Sequence, residues 1–559
     1  MNLPAVLAQL ETSQLVRRLD DPNPAYIFKH VLTQETAYQS LLKTQRRRLH
    51  RRVAEAIEQT CRDDLDALND VLAYHWEEAE VPDRARHYLA QAGQSAARRY
   101  ANQEAVEAFS RALALVEGAT PEEVVLLHEA RGHVYEFLSQ YAQALADYEA
   151  ALAVLSAAKD QQAGQPAVLS AAKECRLMAQ IAWVHWLAGQ GAQAVEVARE
   201  AEARAQALKD RTIALRAYLV AGLVAQAEGR LSEAYPHMRR ALFLSRASEE
   251  RALEGESLFY LGIQDNFMGR FGRAAICAQK AYEIKQHLGD RVGEVVSLYL
   301  KARAEAGRSH YDAALEALEV GRSVAEEIHN PFGLAQYPNT RAWLSAELGD
   351  WETAYEVDHA GLELARAAPV RPPEIGTLIN LVLDCTALGK LDEAEQYMLE
   401  LQQWIGRPEF GFHAWRWQTR IADARARLLL ARSRYAEAAE GVAGLLGWAA
   451  CTQARKYEAR GLLLRAYIHL AQDELAAAEV DLLAAMDQAD TMCYLPIRVE
   501  ARRELTRLHQ RAGAVEMAER FQSEEVELVV DLDRRLKHPE LRRSLERGLA
   551  RSVGGLVLA

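Results

Sequence analysis

The chain of 559 residues is poor in the residues that interrupt or staple a fold, with 15 prolines, 31 glycines and six cysteines. The cysteines (Cys61, Cys175, Cys277, Cys385, Cys451 and Cys493) have neither pairing nor ligand spacing. That speaks against a disulfide framework or a thiolate metal centre and suits buried thiols in a reducing cytoplasm. No apolar run approaches the roughly 18 residues that cross a membrane, and Met1-Asn2-Leu3-Pro4 opens no secretory signal. A net charge of −13 argues against general nucleic-acid binding, which needs cations to displace phosphate counterions. Catalytic signatures are missing as well. There is no Gly-x-Ser-x-Gly, His-Glu-x-x-His, Gly-x-Gly-x-x-Gly or Cys-x-x-Cys. The one Gly-Lys pair, Gly389-Lys390, lacks the upstream glycine of a phosphate loop. His128 and His133 stand five apart, a spacing that does not align ligands on one helix face. No catalytic residue, metal or cofactor is expected.

What the chain does have is a ladder. Alanine recurs at 194, 234, 274, 314, 354 and 394, and after a four-residue slip at 438, 478 and 518. Three residues before most of these stands a bulky apolar residue (Leu231, Phe271, Tyr311, Trp351, Leu391, Tyr435, Leu475, Val515). Twelve residues upstream lies another small one: Ala182, Gly222, Gly262, Ala302, Ala342, Ala426 and Ala466. Small residues in this pattern let two helices approach closely. Gly189, Gly229, Gly269, Gly349, Gly389 and Gly513 mark the turn between them. One hairpin cannot bury its own apolar face, so neighbours must stack. Acidic residues at the junctions (Asp210, Glu250, Asp290) are placed to favour the next helix N-terminus.

This arrangement resembles the tetratricopeptide repeat, lengthened from 34 residues to 40, as in large bacterial signalling proteins. The expected fold is therefore all-α: a right-handed α-solenoid of about ten tetratricopeptide-like hairpins over 121–520, after irregular first repeats at 67–120. The first 66 residues leave the register. Tyr26 to Leu42, Arg46 to Glu55 and Leu72-Ala-Tyr-His-Trp76 resemble the end of the ATPase module in bacterial multidomain (STAND-type) signalling ATPases. Such proteins are often fused to class III adenylate or guanylate cyclases or to transcription regulators. The resemblance covers roughly residues 10 to 115 and implies a small winged-helix-like segment leading into the repeats. Nucleotide hydrolysis does not carry over, since the phosphate loop is missing. The chain reads either as a free-standing protein or as a piece of a longer one. Residues 521–559 read as two capping helices broken at His538-Pro539-Glu540, with Arg542, Arg543, Glu546 and Arg547 giving a polar face and Ala559 close to a natural terminus.

Two departures from register stand out. Residues 159–172 read as an exposed polar loop. The 44-residue step before Ala438 holds Trp404, Phe410, Phe412, Trp415 and Trp417, either core or a docking surface. In the resembling family the first helix of each unit lines a concave groove for peptides or partner helices. That geometry places Trp183, Phe259, Ile263, Tyr299, Arg303, Trp343, Asp423, Arg427, Leu463 and Tyr467 inward. Arg303 and Arg427 could then hold a carboxylate bidentately, and Trp183, Trp186 and Trp343 could stack on a sugar. Lys43 to Arg52, with Arg46, Arg47, Arg48, Arg51 and Arg52, is a basic run backed by Leu49, Val53, Ala56 and Ile57. It reads as a solvated helix face or a patch for DNA or an acidic partner. The expectation is a non-catalytic scaffold for a protein or peptide partner, acting as the sensor arm of an ATPase or cyclase module in cis or trans. The alternative is a small-molecule effector domain like those of transcription activators.

Overall fold

The computed structural model describes residues 3–19, 25–161, 167–208, 211–368, 371–405 and 414–553. The chain divides into two compact units, 1–163 and 164–559.

The first unit opens with helix α1 (Leu3–Thr12), strands β1 (Val16–Leu19) and β2 (Ala25–Phe28), then α2 (Val31–Gln39) and α3 (Lys43–Thr60). The strands pair antiparallel, Val16 opposite Phe28. Helical pairs follow: α4 (Asn69–Glu78), α5 (Pro82–Arg98), α6 (Asn102–Leu113), α7 (Pro121–Phe137) and α8 (Tyr141–Gln161). Their core gathers Leu72, Trp76, Leu89 and Phe109 with Ala54 of α3. The buried face of α3 is His50 and Ala54. Leu49 and Val53, read from sequence as its apolar stripe, are 46% and 42% exposed.

The second unit is built of helices of similar length in sequential pairs. They are α9 (Ala167–Leu187), α10 (Gly191–Leu208), α11 (Arg211–Ala227), α12 (Leu231–Ala247), α13 (Arg251–Phe267) and α14 (Phe271–His287). Then come α15 (Arg291–Gly307), α16 (Tyr311–Glu327), α17 (Pro331–Glu347), α18 (Trp351–Ala367), α19 (Pro372–Ala387) and α20 (Leu391–Gln402). The last are α21 (Ala414–Ala431), α22 (Tyr435–Thr452), α23 (Arg455–Ala471), α24 (Leu475–Met492), α25 (Leu495–Arg511), α26 (Val515–Arg535) and α27 (Pro539–Val553). From α9 to α26 consecutive helices pack on one another, giving the stacked hairpins of a tetratricopeptide-like α-solenoid. The first helices of successive pairs also touch one another, from α9 through α25. They form the inner layer.

The ladder explains this packing. Ala194, Ala234, Ala274, Ala314, Ala354, Ala394, Ala438 and Ala478 have no exposed surface. Each lies three residues into the second helix of a pair, and the bulky residue of the pattern is the residue that opens that helix. On the first helices, a β-carbon added at Gly262 would meet Leu300 Cδ2 at 2.9 Å and Cys277 Cβ at 3.2 Å. Among the acidic junction residues, Asp290 caps its helix by accepting from Gly293 N at 2.8 Å. Glu250 makes no side-chain cap, and Asp210 lies outside the described residues.

The expected loop at 159–172 is shorter than read. Helix α8 continues to Gln161 and α9 begins at Ala167, because the alanine-rich flanks extend both helices. Residues 162–166 lie outside the described part, as do Phe410 and Phe412. The expected boundaries near 66, 120 and 520 fall inside the two compact units.

If the alanine ladder sets the helix crossing, Ala314→Leu should lower unfolding stability by about 1–3 kcal/mol through overpacking. Glu316→Leu, on the exposed face of the same helix, should change it by less than about 0.5 kcal/mol. Chemical denaturation of the two variants makes the comparison.

Candidate functional site

The second unit closes on itself. Trp415, at the start of α21, donates from Nε1 to the carbonyl of Gln226, 189 residues earlier, at 2.9 Å. Its ring meets Phe267 edge-on, with centroids 5.1 Å apart. At the α13–α14 turn, Met492 lies directly against Gly269, where a side chain would have no room. Ser309, in the next turn, donates to the carbonyl of Cys493 at 3.2 Å. Asp312 accepts from the backbone amides of Lys537 and His538, both at 2.9 Å. At the α17–α18 turn, a β-carbon on Gly349 would come within 3.0 Å of Gly548 Cα, and Arg547 lies 3.3 Å from Asp350. Helix α27, read from sequence as a polar cap, buries Leu541 and Leu545 and pairs Glu540 with Arg341.

These contacts border the inner face, expected from sequence as a concave groove, and leave it partly open to solvent. Behind them lie two adjoining cavities. One, of about 120 Å³, is lined by Arg303, Trp343, Glu347, Arg420, Lys456 and Arg460 among others. The other, of about 360 Å³, shares Glu347, Arg427 and Glu500 with it and is floored by Leu430, Leu464, Val499, Leu532 and Leu545.

The polar chamber carries a surplus of cations. Arg460 pairs with Glu500 at 2.7 Å, and Arg427 pairs with Asp423 at 3.1 Å. Glu347 accepts from the Tyr494 hydroxyl and lies 3.7 Å from Lys456 Nζ. Among the described residues, Arg303, Arg416 and Arg420 have no carboxylate within ion-pair distance. Arg303 and Lys456 both sit 5.0 Å from the centroid of the Trp343 indole, which brings two like charges to one ring.

The chamber's titrations follow from this. Burial lowers the Lys456 ammonium to about 8, with Arg303, Arg460 and Arg420 acting in the same direction and Glu347 against them. Burial also lowers Arg420 to about 10, assisted by Arg416 and Arg303. Burial by itself would raise the Tyr299 phenol, but Arg303, Arg416 and Arg420 outweigh it and bring the group down to about 8. These three shifts go the way a positive field pushes, whereas Arg303 is raised against its burial by Tyr299, Tyr457 and Glu347, and Arg460 is raised against its burial by Glu500 and Asp423.

Behind Arg420 runs a buried polar chain. Arg420 donates to Asn380 Oδ1 at 2.9 Å, Asn380 donates to the Asn339 carbonyl at 3.2 Å, and Asn339 donates to Asp358 Oδ1 at 3.3 Å. Burial holds the Asp358 and Asp384 carboxyls well above the ordinary range, and Asp384 is raised further by Asp358 beside it.

The sequence-derived residues separate into two groups. Arg303, Trp343, Arg427 and Tyr467 line the cavities, and Tyr299 stands beside Arg303. Trp183, Trp186 and Phe259 do not join them. They form an aromatic knot on Tyr260, with centroids 5.8, 5.7 and 5.0 Å from its ring, and Trp186 is only 5% exposed. Leu463 is fully buried between helices. Arg416, Arg420, Lys456, Arg460 and Glu500 were missed by taking two positions per helix. The signal was present, because Arg416, Arg420, Asp423 and Arg427 follow one another at three- and four-residue steps on one face.

In the first unit the basic run is partly engaged. Arg47 and Lys43 pair with Glu80, Arg51 pairs with Glu55 at 2.9 Å, and Arg46 lies over the Tyr38 ring. Arg48 and Arg52 are exposed. Among the described residues no group of ligands is placed to hold a metal, and no helix is long and apolar enough to cross a membrane.

No protein-family model matches the chain, and no curated protein matches it. Solved structures are similar at low identity. One is a Rap protein complexed with competence and sporulation factor, at 12% identity over 75% of this chain and 100% of that one, with a TM-score of 0.36. Another is a STAND protein with a tetratricopeptide repeat sensor from Pyrococcus horikoshii, at 13% identity over 72% of this chain and 59% of that one, with a TM-score of 0.44. A third is the Cut9–Hcn1 hetero-tetramer of APC/C, at 14% identity over 93% and 99%, with a TM-score of 0.42. The fold assignment rests on the helix pairing described above.

Two outcomes follow. Asp312→Ala removes the acceptor of two amide hydrogen bonds, each worth about 1.5–3 kcal/mol when the acceptor is charged. Hydrogen exchange at Lys537 and His538 should therefore accelerate by at least tenfold while the alanine-ladder helices keep their protection. The raised carboxyls give the second. A group raised in the folded state stabilises fully below its unfolded value and loses that contribution as pH climbs through the folded value. Asp384→Asn should therefore be more stable than the wild type at pH 7–8, with the gap closing toward pH 4, read from denaturation midpoints across that range.

Proposed function

We propose that this chain is a non-catalytic regulatory scaffold whose second unit senses a partner or ligand through its inner chamber and responds by opening or tightening its closure. The observation that carries this reading is the closure itself. The apolar cavity, of about 360 Å³, lies behind the closing contacts, so a partner running along the inner face would meet them. Binding along the inner face is thus coupled to breaking the Trp415, Ser309 and Asp312 contacts, and a partner selects between a closed and an open population. A cavity of that volume also accommodates a small molecule, as the effector-domain alternative requires.

The wider role follows from the resemblance of the first 115 residues. As the arm of a signalling ATPase or cyclase in cis or trans, the first unit would abut that module. Its bare apolar side chains support this. Val31, Leu32 and Leu42 are 69%, 77% and 67% exposed, more than an isolated surface helix ordinarily leaves open. A cytoplasmic location in a bacterial host belongs to the same proposal, and the basic run of α3 is then a surface for an acidic partner rather than for nucleic acid.

Affinity capture from the native host, comparing the wild type with Arg303→Glu/Arg427→Glu and with Trp415→Ala, tests the reading. The charge-reversed pair should lose the partner, and the opened Trp415 variant should retain or increase it. Equal capture by all three proteins would reject the inner face as the sensing site.

A further inference from the structure

Six cations face or border the polar chamber: Arg303 from α15, Arg416, Arg420 and Arg427 from α21, and Lys456 and Arg460 from α23. Of the acids beside them, Asp423 and Glu500 are taken by Arg427 and Arg460, and the Tyr494 hydroxyl donates to Glu347. Asp384 is held toward its neutral form by burial and by Asp358. Arg303, Arg416, Arg420 and Lys456 are thus left with only Glu347, 3.7 Å from Lys456, to balance them. Gathering like charges where water reaches them only in part, as at Lys456 with 20% of its side chain exposed, is unfavourable unless a counter-charge joins them. A structural core does not need such an arrangement, since Gln at any of these positions would relieve it.

We propose that the chamber between α15, α17, α21 and α23 binds a small anion, whose carboxylate or phosphate oxygens lie among Arg303, Arg420 and Lys456 beside the Trp343 ring. The proposal rests on the sensing role given above and names the chemistry of what is sensed. Arginine supplies planar bidentate donors for either oxyanion, and the lysine supplies a point charge. The apolar cavity next door, behind Glu347 and Glu500, accommodates the ligand's uncharged body. The groups facing Lys456 are Arg303 from α15, Glu347 from α17, Arg420 from α21, Arg460 and Tyr457 on α23, and Tyr494 before α25. A bound anion would restore the Lys456 ammonium and the neutral Tyr299 phenol, so binding takes up protons near pH 8.

The test uses the full chain with inorganic phosphate and with citrate as probes, each compared with sodium chloride at equal ionic strength. Phosphate and citrate arms distinguish the two oxyanion classes, and either one binding supports the site. A probe at ten times its Kd should raise Tm by roughly 1–2 °C. Arg303→Gln/Arg420→Gln should melt no lower than the wild type without anion, because it relieves repulsion, and should lose the probe-dependent shift. Arg239→Gln/Arg240→Gln, on the exposed face of α12, should keep it. With citrate, fully ionised throughout, affinity by titration calorimetry should fall at least roughly eightfold between pH 7.5 and 9.0, the loss from Lys456 alone, with Tyr299 ionisation adding to it. No shift beyond the chloride control with either probe, or an equal shift in the Arg303/Arg420 variant, overturns the proposal. If anions fail while the charge-reversed pair still loses its captured partner, the anion site falls and the sensing role stands.

Discussion

The crossing distance between paired helices governs everything else in the second unit. A buried alanine at the same place in each second helix, with no exposed surface from Ala194 to Ala478 and 3% at Ala518, fixes how close the first helix comes. Each pair then repeats nearly the same rotation on its neighbour, and small rotations accumulate along a stack. After enough units the chain returns to its own early turns. Contacts such as the Asp312 carboxylate on the Lys537 and His538 amides, 225 and 226 residues away, are the outcome of that accumulated angle rather than of any local preference.

The parts of this architecture legible in the sequence are those that repeat. The ladder, the bulky residue opening each second helix and the left-handed turn at Gly229 and Gly269 (φ 79° and 71°) recur, so one hairpin reads as all of them. The inward direction of Arg303, Trp343, Arg427 and Tyr467 followed from the same period. Closure did not follow, because it depends on an angle summed over many units and on contacts that occur once each. Trp415 illustrates this. Its aromatic cluster read as core or as a docking surface. The side chain docks within its own unit, on the Gln226 carbonyl, while Trp417 two residues on is core. Trp183 and Trp186 were misread for the opposite reason, since periodicity places a side chain on a face without saying whether a neighbouring Tyr260 will cover it.

The chamber combines two environments that a protein interior seldom joins. On one side Arg303, Arg420 and Lys456 gather around an indole, and on the other leucines and valines line an apolar floor. The buried Asn380, Asn339 and Asp358 chain holds Arg420 from behind, so its guanidinium is oriented without being neutralised. A directed but uncompensated charge is a feature of recognition sites more than of cores, where buried ions are ordinarily matched.

Closure also changes what kind of object the repeat array is. An open stack of helical pairs has no preferred number of units, and a pair may be added or removed with little effect beyond its neighbours. Here Trp415 must meet Gln226, Asp312 must meet Lys537, and Gly548 must fit against Gly349. Deleting one 40-residue pair between them would carry every later contact out of register at once. The number of repeats separating residues that meet, such as Gln226 and Trp415 or Gly349 and Gly548, is therefore set, and whole repeats can be added or removed freely only outside the spans those contacts bridge.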